Sequence, residues 1–263
     1  MNGFRMIVSV RSATYLADLL CVLIARDVKV RYKRSVLGMG WSLMNPLLHL
    51  AILYVVFQLV LPLGIRHYPL YLFTGILVWN WFQTSVLAAS GTIVENASLI
   101  KQPGFPSAVL PLAAVCTHLI NFLMALPIVF VFLLVERLPL TPAASLLPVI
   151  IVLQAMFTVS VAYVPAALYA PFRDVQYLLG VALTLGFYLV PVFYEASNLP
   201  PGVRWVYRFN PMVLLMDAYR SVLIAGKWPD AGELAVVAAI SGGLLLLTRA
   251  LFLRFSRDFV EHL

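Results

Sequence analysis

The sequence predicts an all-α polytopic membrane protein. It has six transmembrane helices, an N-terminal amphipathic interfacial helix, and short periplasmic half-helices before the last span. Three observations predict this. First, of 263 residues 62% are hydrophobic and only 11% charged, whereas a soluble domain carries about a quarter charged residues. Second, six apolar stretches are long enough to cross a hydrocarbon core. Third, a basic cluster stands directly in front of the first of them.

That cluster belongs to a segment with a helical repeat. Leu16, Leu20, Ile24 and Val28 recur at every fourth position, while Arg26, Lys29 and Lys33 mark another face. An apolar stripe beside a basic one describes a helix lying in the interface. Asp27 and Arg31 are spaced for an i,i+4 ion pair. Arg5 and Arg11 ahead of an apolar run imitate an export signal, but Asp18 interrupts that run and the following charges oppose export, so the segment reads as retained. Gly38 and Gly40 end the helix, and Trp41 opens the first span where an interfacial aromatic is expected. Residues 1–40 are therefore expected as a cytoplasmic interfacial helix and loop, and 41–263 as the membrane domain.

The expected spans are 42–63, 70–94, 107–135, 146–170, 175–194 and 231–253, with prolines inside or near their ends implying kinks. The segments 1–40, 95–106, 171–176 and 249–263 carry twelve of the chain's 18 Lys and Arg residues. The alternate loops hold Arg66, Arg137, Arg204, Arg208, Arg220 and Lys227. Positive charge stays inside, so both termini are expected in the cytoplasm. Between the last two spans, within 195–230, Asn210 is a candidate helix N-cap, Pro211 suits the first turn, and Gly226 is a candidate stop. This helix is too short to cross, and Asp217 and Arg220 could pair on its surface, where a pair stabilises little.

Enzymatic chemistry finds no footing in the sequence. "IAGKW" lacks the upstream glycine and the hydroxyl of a phosphate loop. The four histidines do not pair at ligand spacing, and Cys21 and Cys116 form neither a CxxC nor a zinc motif. No basic, aromatic-interleaved soluble domain speaks for nucleic acid. Asn45, His49 and His118 are polar residues within spans, readable as functional groups or as interhelical hydrogen-bond partners.

The run "RDVKVRYKRSVLGMGWSLMNPLLHLAILYVVFQ" (26–58) resembles the opening of ABC transporter permease subunits that export O-antigen, capsule and teichoic-acid chains on lipid carriers. "ASLIKQPGFPSAVLPLAAV" (97–115), "YAPFRDVQYLLGVAL" (169–183) and "YRFNPMVLLMDAYRSVLIAG" (207–226) fit in the same order. The resemblance implies a homodimer in the bacterial inner membrane, docked on a separate cytoplasmic ATPase that holds the ATP and Mg. This chain itself would hold no cofactor.

The resemblance implies headgroup recognition by the interfacial helix and loop: Arg26, Lys29, Arg31, Tyr32, Lys33, Arg34, Leu37 and Gly38. Arg and Lys at the headgroup plane suit a polyprenyl-diphosphate carrier. The same charges also set orientation and bind anionic lipid. Lys101, Pro103 and Pro106 in one loop, and Arg173 and Asp174 in another, are the expected ATPase contacts. Trp79, Trp81, Phe82, Phe187, Tyr188, Phe193 and Tyr194, taken as lying toward span ends, are either path-lining aromatics or interfacial belts. The helix at Asn210, Pro211, Asp217, Tyr219 and Arg220 is the expected outer gate. Competing readings are a permease for a drug or simple lipid, a membrane enzyme acting on polyprenyl-phosphate sugars, and a scaffold without transport.

Overall fold

A computed structural model describes residues 2–33, 38, 40–60, 63–196, 200, 202, 205, 207–256 and 259, with side chains from Thr14 onward. Among the described residues all the regular structure is helical. Helix α1 is Asn2–Tyr32. Helix α2 runs Gly40–Tyr54 and continues as a wider π-helical stretch, Val55–Val60. Then come α3 (Tyr68–Glu95), α4 (Val109–Val135) and α5 (Leu147–Leu168, entered through the 3₁₀ turn Pro142–Leu146). The chain closes with α6 (Val175–Leu189), α7 (Pro211–Leu223) and α8 (Ala231–Phe255).

Five of these are long and apolar enough to cross a membrane: Gly40–Val60, Tyr68–Glu95, Val109–Val135, Pro142–Leu168 and Ala231–Phe255. Helix α6 is shorter: within the expected span 175–194 the regular helix ends at Leu189. At about 22 Å it falls short of a ~30 Å hydrocarbon core. The cause is local, because the residue before a proline is pushed out of the α region. Val190, preceding Pro191, adopts an extended ψ of 142°.

Helix α3 is the hub. It buries twenty of its 28 residues, whereas the other long helices present large apolar faces to the outside. A membrane-length helix buried over most of its length must be enclosed by its neighbours. The helices pair at two opposite ends. At one, the Tyr163 hydroxyl donates to Ala108 O at 3.0 Å, and its ring packs 5.2 Å from Phe252. At the other, His67 Nδ1 lies 2.9 Å from Glu136 Oε2, and Thr141 donates to Gly226 O. Helix α1 and the loops at 96–108 and 169–174 share the first end, and α7 lies at the second.

Helix α1 meets the bundle along Leu19, Leu20, Leu23 and Ile24, with Leu23 fully buried and Leu16 exposed. The apolar stripe is thus real but begins later than its first expected member. Asp27 does not reach Arg31. It accepts from its neighbour Arg26 at 2.9 Å, and Arg31 is drawn to α4 instead.

Candidate functional site: a polar cavity at the end of the first helix

Where α1 ends and α2 begins, the chain encloses a cavity of about 270 Å³ against α3 and α4. Arg31 and Tyr32 close one wall. Trp41, Ser42 and Asn45 come from α2, Asn80, Trp81 and Thr84 from α3, and His118, Asn121 and Phe122 from α4. Gly38 adopts a φ of 48° in the intervening turn, a left-handed value that favours glycine.

Two polar clasps hold this junction. Arg31 Nη2 lies 3.0 Å from His118 Nε2 and Nη1 lies 3.4 Å from Nδ1. A guanidinium only donates, so the ring must accept through an unprotonated nitrogen. The Tyr32 hydroxyl donates to Asn121 Oδ1 at 2.7 Å and also contacts Ser42 Oγ. His118, readable from the sequence as a functional group or an interhelical partner, here meets Arg31; Asn121 was the partner that sequence reasoning did not name. Their spacing near one helical turn put them on one face, and that signal was available.

The other described basic residues of the expected headgroup site, Arg26, Lys29 and Lys33, do not line this cavity. Arg26 is tied to Asp27 and lines a second cavity with Glu95 and Asn96. Lys29 and Lys33 are exposed. Arg34 and Leu37 lie outside the described residues. Of the two loops, Lys101 and Pro103 are exposed and Pro106 is half-buried. Arg173 sits 5.2 Å over the Tyr169 ring, and Asp174 directly precedes α6 without capping it.

At the opposite end, Asn210 caps α7, its side chain accepting from Met212 N at 3.0 Å, and Pro211 occupies the first turn. Helix α7 does not lie on the surface. Tyr219 is fully buried, its ring 6.0 Å from Phe122, and Arg220 is only 7% exposed. The expected exposed Asp217–Arg220 pair is replaced by a buried anchor. Arg220 donates to Pro191 O at 2.7 Å and Val192 O at 2.8 Å, its guanidinium 3.5 Å over the Tyr71 ring.

The Tyr68 hydroxyl donates to Phe193 O, and that of Tyr71 to Tyr194 O. Four successive carbonyls of the unwound segment are thus each captured by a side chain, which is what a buried non-helical backbone requires. Burial pushes the Arg220 pKa down and the Asp217 pKa up, with Glu233 and Glu195 adding to the latter against Arg220.

The aromatic candidates separate into two groups. Trp79, Trp81 and Phe82 lie at mid-length of α3, not near its ends, and are buried. Trp81 stacks on Phe122 at 4.9 Å and Phe82 on Phe157 at 5.6 Å. Phe187, Tyr188, Phe193 and Tyr194 cluster with Phe57 around the end of α6, with Tyr188 59% exposed.

A search of family profiles matches residues 18–224 to the ABC-2 type transporter family. The O-antigen export system permease protein RfbA of Myxococcus xanthus is 34% identical over 260 residues, covering 98% of this chain and all of that protein. Two proteins of the same description from Klebsiella pneumoniae are each 35% identical over 215 residues, covering 81% of this chain and 82% of theirs. A match over most of the chain, with full-length similarity to export permeases, places this protein in the ABC-2 type transporter family.

Proposed function

We propose that this chain is the membrane subunit of an ATP-driven exporter of lipid-linked polysaccharide, O-antigen being the cargo its relatives' names indicate. It resides in the bacterial inner membrane as a homodimer, with ATP hydrolysed by a separate cytoplasmic subunit. The observation that carries this reading is the end-to-end similarity to the Myxococcus permease. The excess of Lys and Arg at one end supports cytoplasmic termini and six passages, with the extended stretch after Leu189 completing the fifth.

In this reading the polyprenyl-diphosphate headgroup meets the basic face of α1 at the cytoplasmic leaflet. Arg26, Lys29, Lys33 and Arg34 attract it, and Arg31, Tyr32, Leu37 and Gly38 guide it inward. The loops carrying Lys101, Pro103 and Pro106, and Arg173 and Asp174, receive the ATPase, which their shared position at the α1 end supports. Helix α7, with Asn210, Pro211, Asp217, Tyr219 and Arg220, forms the outer gate. The sugar chain passes at the dimer boundary. The exposed Tyr188 and the cluster of Phe187, Phe193 and Tyr194 are the aromatics available to stack on it there. Trp79, Trp81 and Phe82 would support that path from within the subunit.

The test is ATPase turnover of the complex with its cognate ATPase in nanodiscs, with and without a polyprenyl-diphosphate-linked saccharide. Stimulation supports export of this cargo. Stimulation by a drug or plain lipid instead would favour another ABC cargo, and failure to bind any ATPase would remove the transporter assignment.

A further inference from the structure

At the end opposite α1, helix α7, the first turn of α8 and the segment before α7 form a cleft of about 380 Å³. Arg208, Asp217 and Glu233 line it, with Tyr207 beside them and Val213 and Leu214 as its apolar members. Arg208 and Glu233 are exposed, so the cleft is open, while Asp217 and Tyr207 are half-buried.

The three charged side chains are unspent. Among the described residues none of them makes a side-chain hydrogen bond or an ion pair. Arg220, the cation nearest Asp217 in sequence, is committed to Pro191 O and Val192 O. Glu233 is the third residue after the cap Asp230, where a glutamate commonly returns a bond to the cap's N–H. That bond is absent here, and the carboxylate lines the cleft instead. Asp217 carries a further cost. Burial raises its pKa, so the ionised group weighs against the fold at neutral pH, whereas an amide of the same shape would not. A charge kept in a cleft at the expense of stability is a mark of a binding site.

The signs of charge select the ligand. Two carboxylates repel an anion, and the guanidinium beside them repels a metal ion. Among the described residues no group of three His, Cys, Asp or Glu side chains could hold one. A neutral polyhydroxyl molecule satisfies both signs, its hydroxyls donating to the carboxylates and its oxygens accepting from the guanidinium. The Tyr207 hydroxyl is already spent on Leu189 O, which leaves its ring for the C–H face of a sugar. Trp205 and Phe209, two residues to either side, are exposed and extend the aromatic surface. The volume equals about thirteen liquid waters, room for one sugar unit. Tyr207 also meets the Tyr194 hydroxyl at 3.1 Å, so the cleft adjoins the aromatic cluster at the end of α6.

We propose that this cleft is a saccharide-binding subsite on the outer face, holding one unit of the chain as it leaves the membrane path. Asp217 and Glu233 accept from its hydroxyls, Arg208 donates to its oxygens, and Tyr207 packs on its ring. A unit held there keeps the chain from sliding back while the ATPase resets. The proposal rests on the export reading above for its cargo and its side of the membrane.

The experiment uses the full complex with its ATPase in nanodiscs. The probe is a short oligosaccharide fraction hydrolysed from the source bacterium's own surface polysaccharide, with binding read by saturation-transfer NMR. Arg208→Gln and Glu233→Gln change exposed residues, and each is expected to raise the Kd about five- to tenfold. Asp217→Asn is expected to raise it about fivefold while also raising the unfolding midpoint, a combination that lost packing cannot produce. Lys227→Gln, exposed at the same end but outside the cleft, stays within twofold of wild type.

No binding to wild type, or equal binding to wild type and all three cleft variants, overturns the subsite. The export reading is judged separately, by ATPase stimulation with the intact prenyl-diphosphate-linked saccharide. If that stimulation is absent while oligosaccharide binding still depends on the three residues, the subsite stands and the export reading falls. Glycerophosphoethanolamine is the competing probe, since a zwitterion also satisfies both signs. Its displacing the saccharide at lower concentration, with the same dependence on the three residues, overturns the saccharide assignment in favour of a lipid headgroup.

Discussion

Gly75 on α3 leaves the space through which Arg220 reaches the unwound end of α6. A Cβ at position 75 would meet Arg220 Nη2 at 2.7 Å and Val192 O at 2.8 Å, with Val192 Cα at 3.3 Å behind it. The first of these atoms belongs to a side chain with buried bonds of its own, and the other two are backbone, so none yields cheaply. Gly75→Ala is therefore expected to destabilise the protein by about 1–3 kcal/mol, the usual cost of overpacking a filled site. Thermal unfolding in detergent reads it. An unchanged midpoint would mean that the segment after Leu189 can move away from α3 freely.

Removing the guanidinium tests the same anchor from the other side. Arg220→Met keeps apolar bulk but leaves Pro191 O and Val192 O buried without donors, each worth about 1–3 kcal/mol. Arg220→Lys restores charge over Tyr71 but cannot serve both carbonyls with the same geometry. The expected order of unfolding midpoints is wild type, then Lys, then Met. Protease cleavage within 190–196 should rise in that same order, least in wild type and most in Met. Equal midpoints for Lys and Met would show that the charge contributes nothing beyond the fork.

This anchor shows where sequence reasoning reached its limit. Asn210, Pro211 and Gly226 were legible because capping chemistry is local: the cap bond forms, and Gly226 adopts a φ of 62° where the helix has ended. The five long spans were legible from apolar length alone. Arg220 was not, because a three-residue spacing from Asp217 suggests a surface pair and nothing nearby signals burial. Its partners come from positions 71, 75, 191 and 192, distant in sequence. The break after Leu189 was readable, since Pro191 restricts Val190, but a membrane-length apolar run outweighed it. In the cavity, the basic residues stood out in the sequence. Which one turns inward depended on His118, a contact across 87 positions.

The clasp of Tyr32, Ser42 and Asn121 ties three helices through one hydroxyl. Tyr32→Phe removes that hydroxyl and keeps the ring, at an expected cost of about 1 kcal/mol. Asn121→Leu removes the acceptor. If the two groups act on each other, the double variant costs less than the two single changes together, by about 0.5–1 kcal/mol. Unfolding midpoints of the four proteins check this. Strict additivity would show that Tyr32 is held by Ser42 alone.

Asp217 carries a pH dependence whose sign follows from its surroundings. Burial raises its pKa, and the negative charges of Glu233 and Glu195 raise it further, with Arg220 opposing. A carboxyl whose folded pKa lies above its unfolded value favours the fold while protonated. That contribution is fully present below the ordinary value of 3.8 and is lost as pH rises through the folded value. At neutral pH the ionised group therefore weighs against the packed position of α7.

Asp217→Asn keeps the shape and removes the charge, so it should raise the unfolding midpoint at pH 7 by about 2 °C or more. The difference should shrink as pH falls through the raised folded value, where wild-type Asp217 takes up its proton. A variant less stable than wild type at pH 7 would mean that attraction to Arg220 outweighs burial.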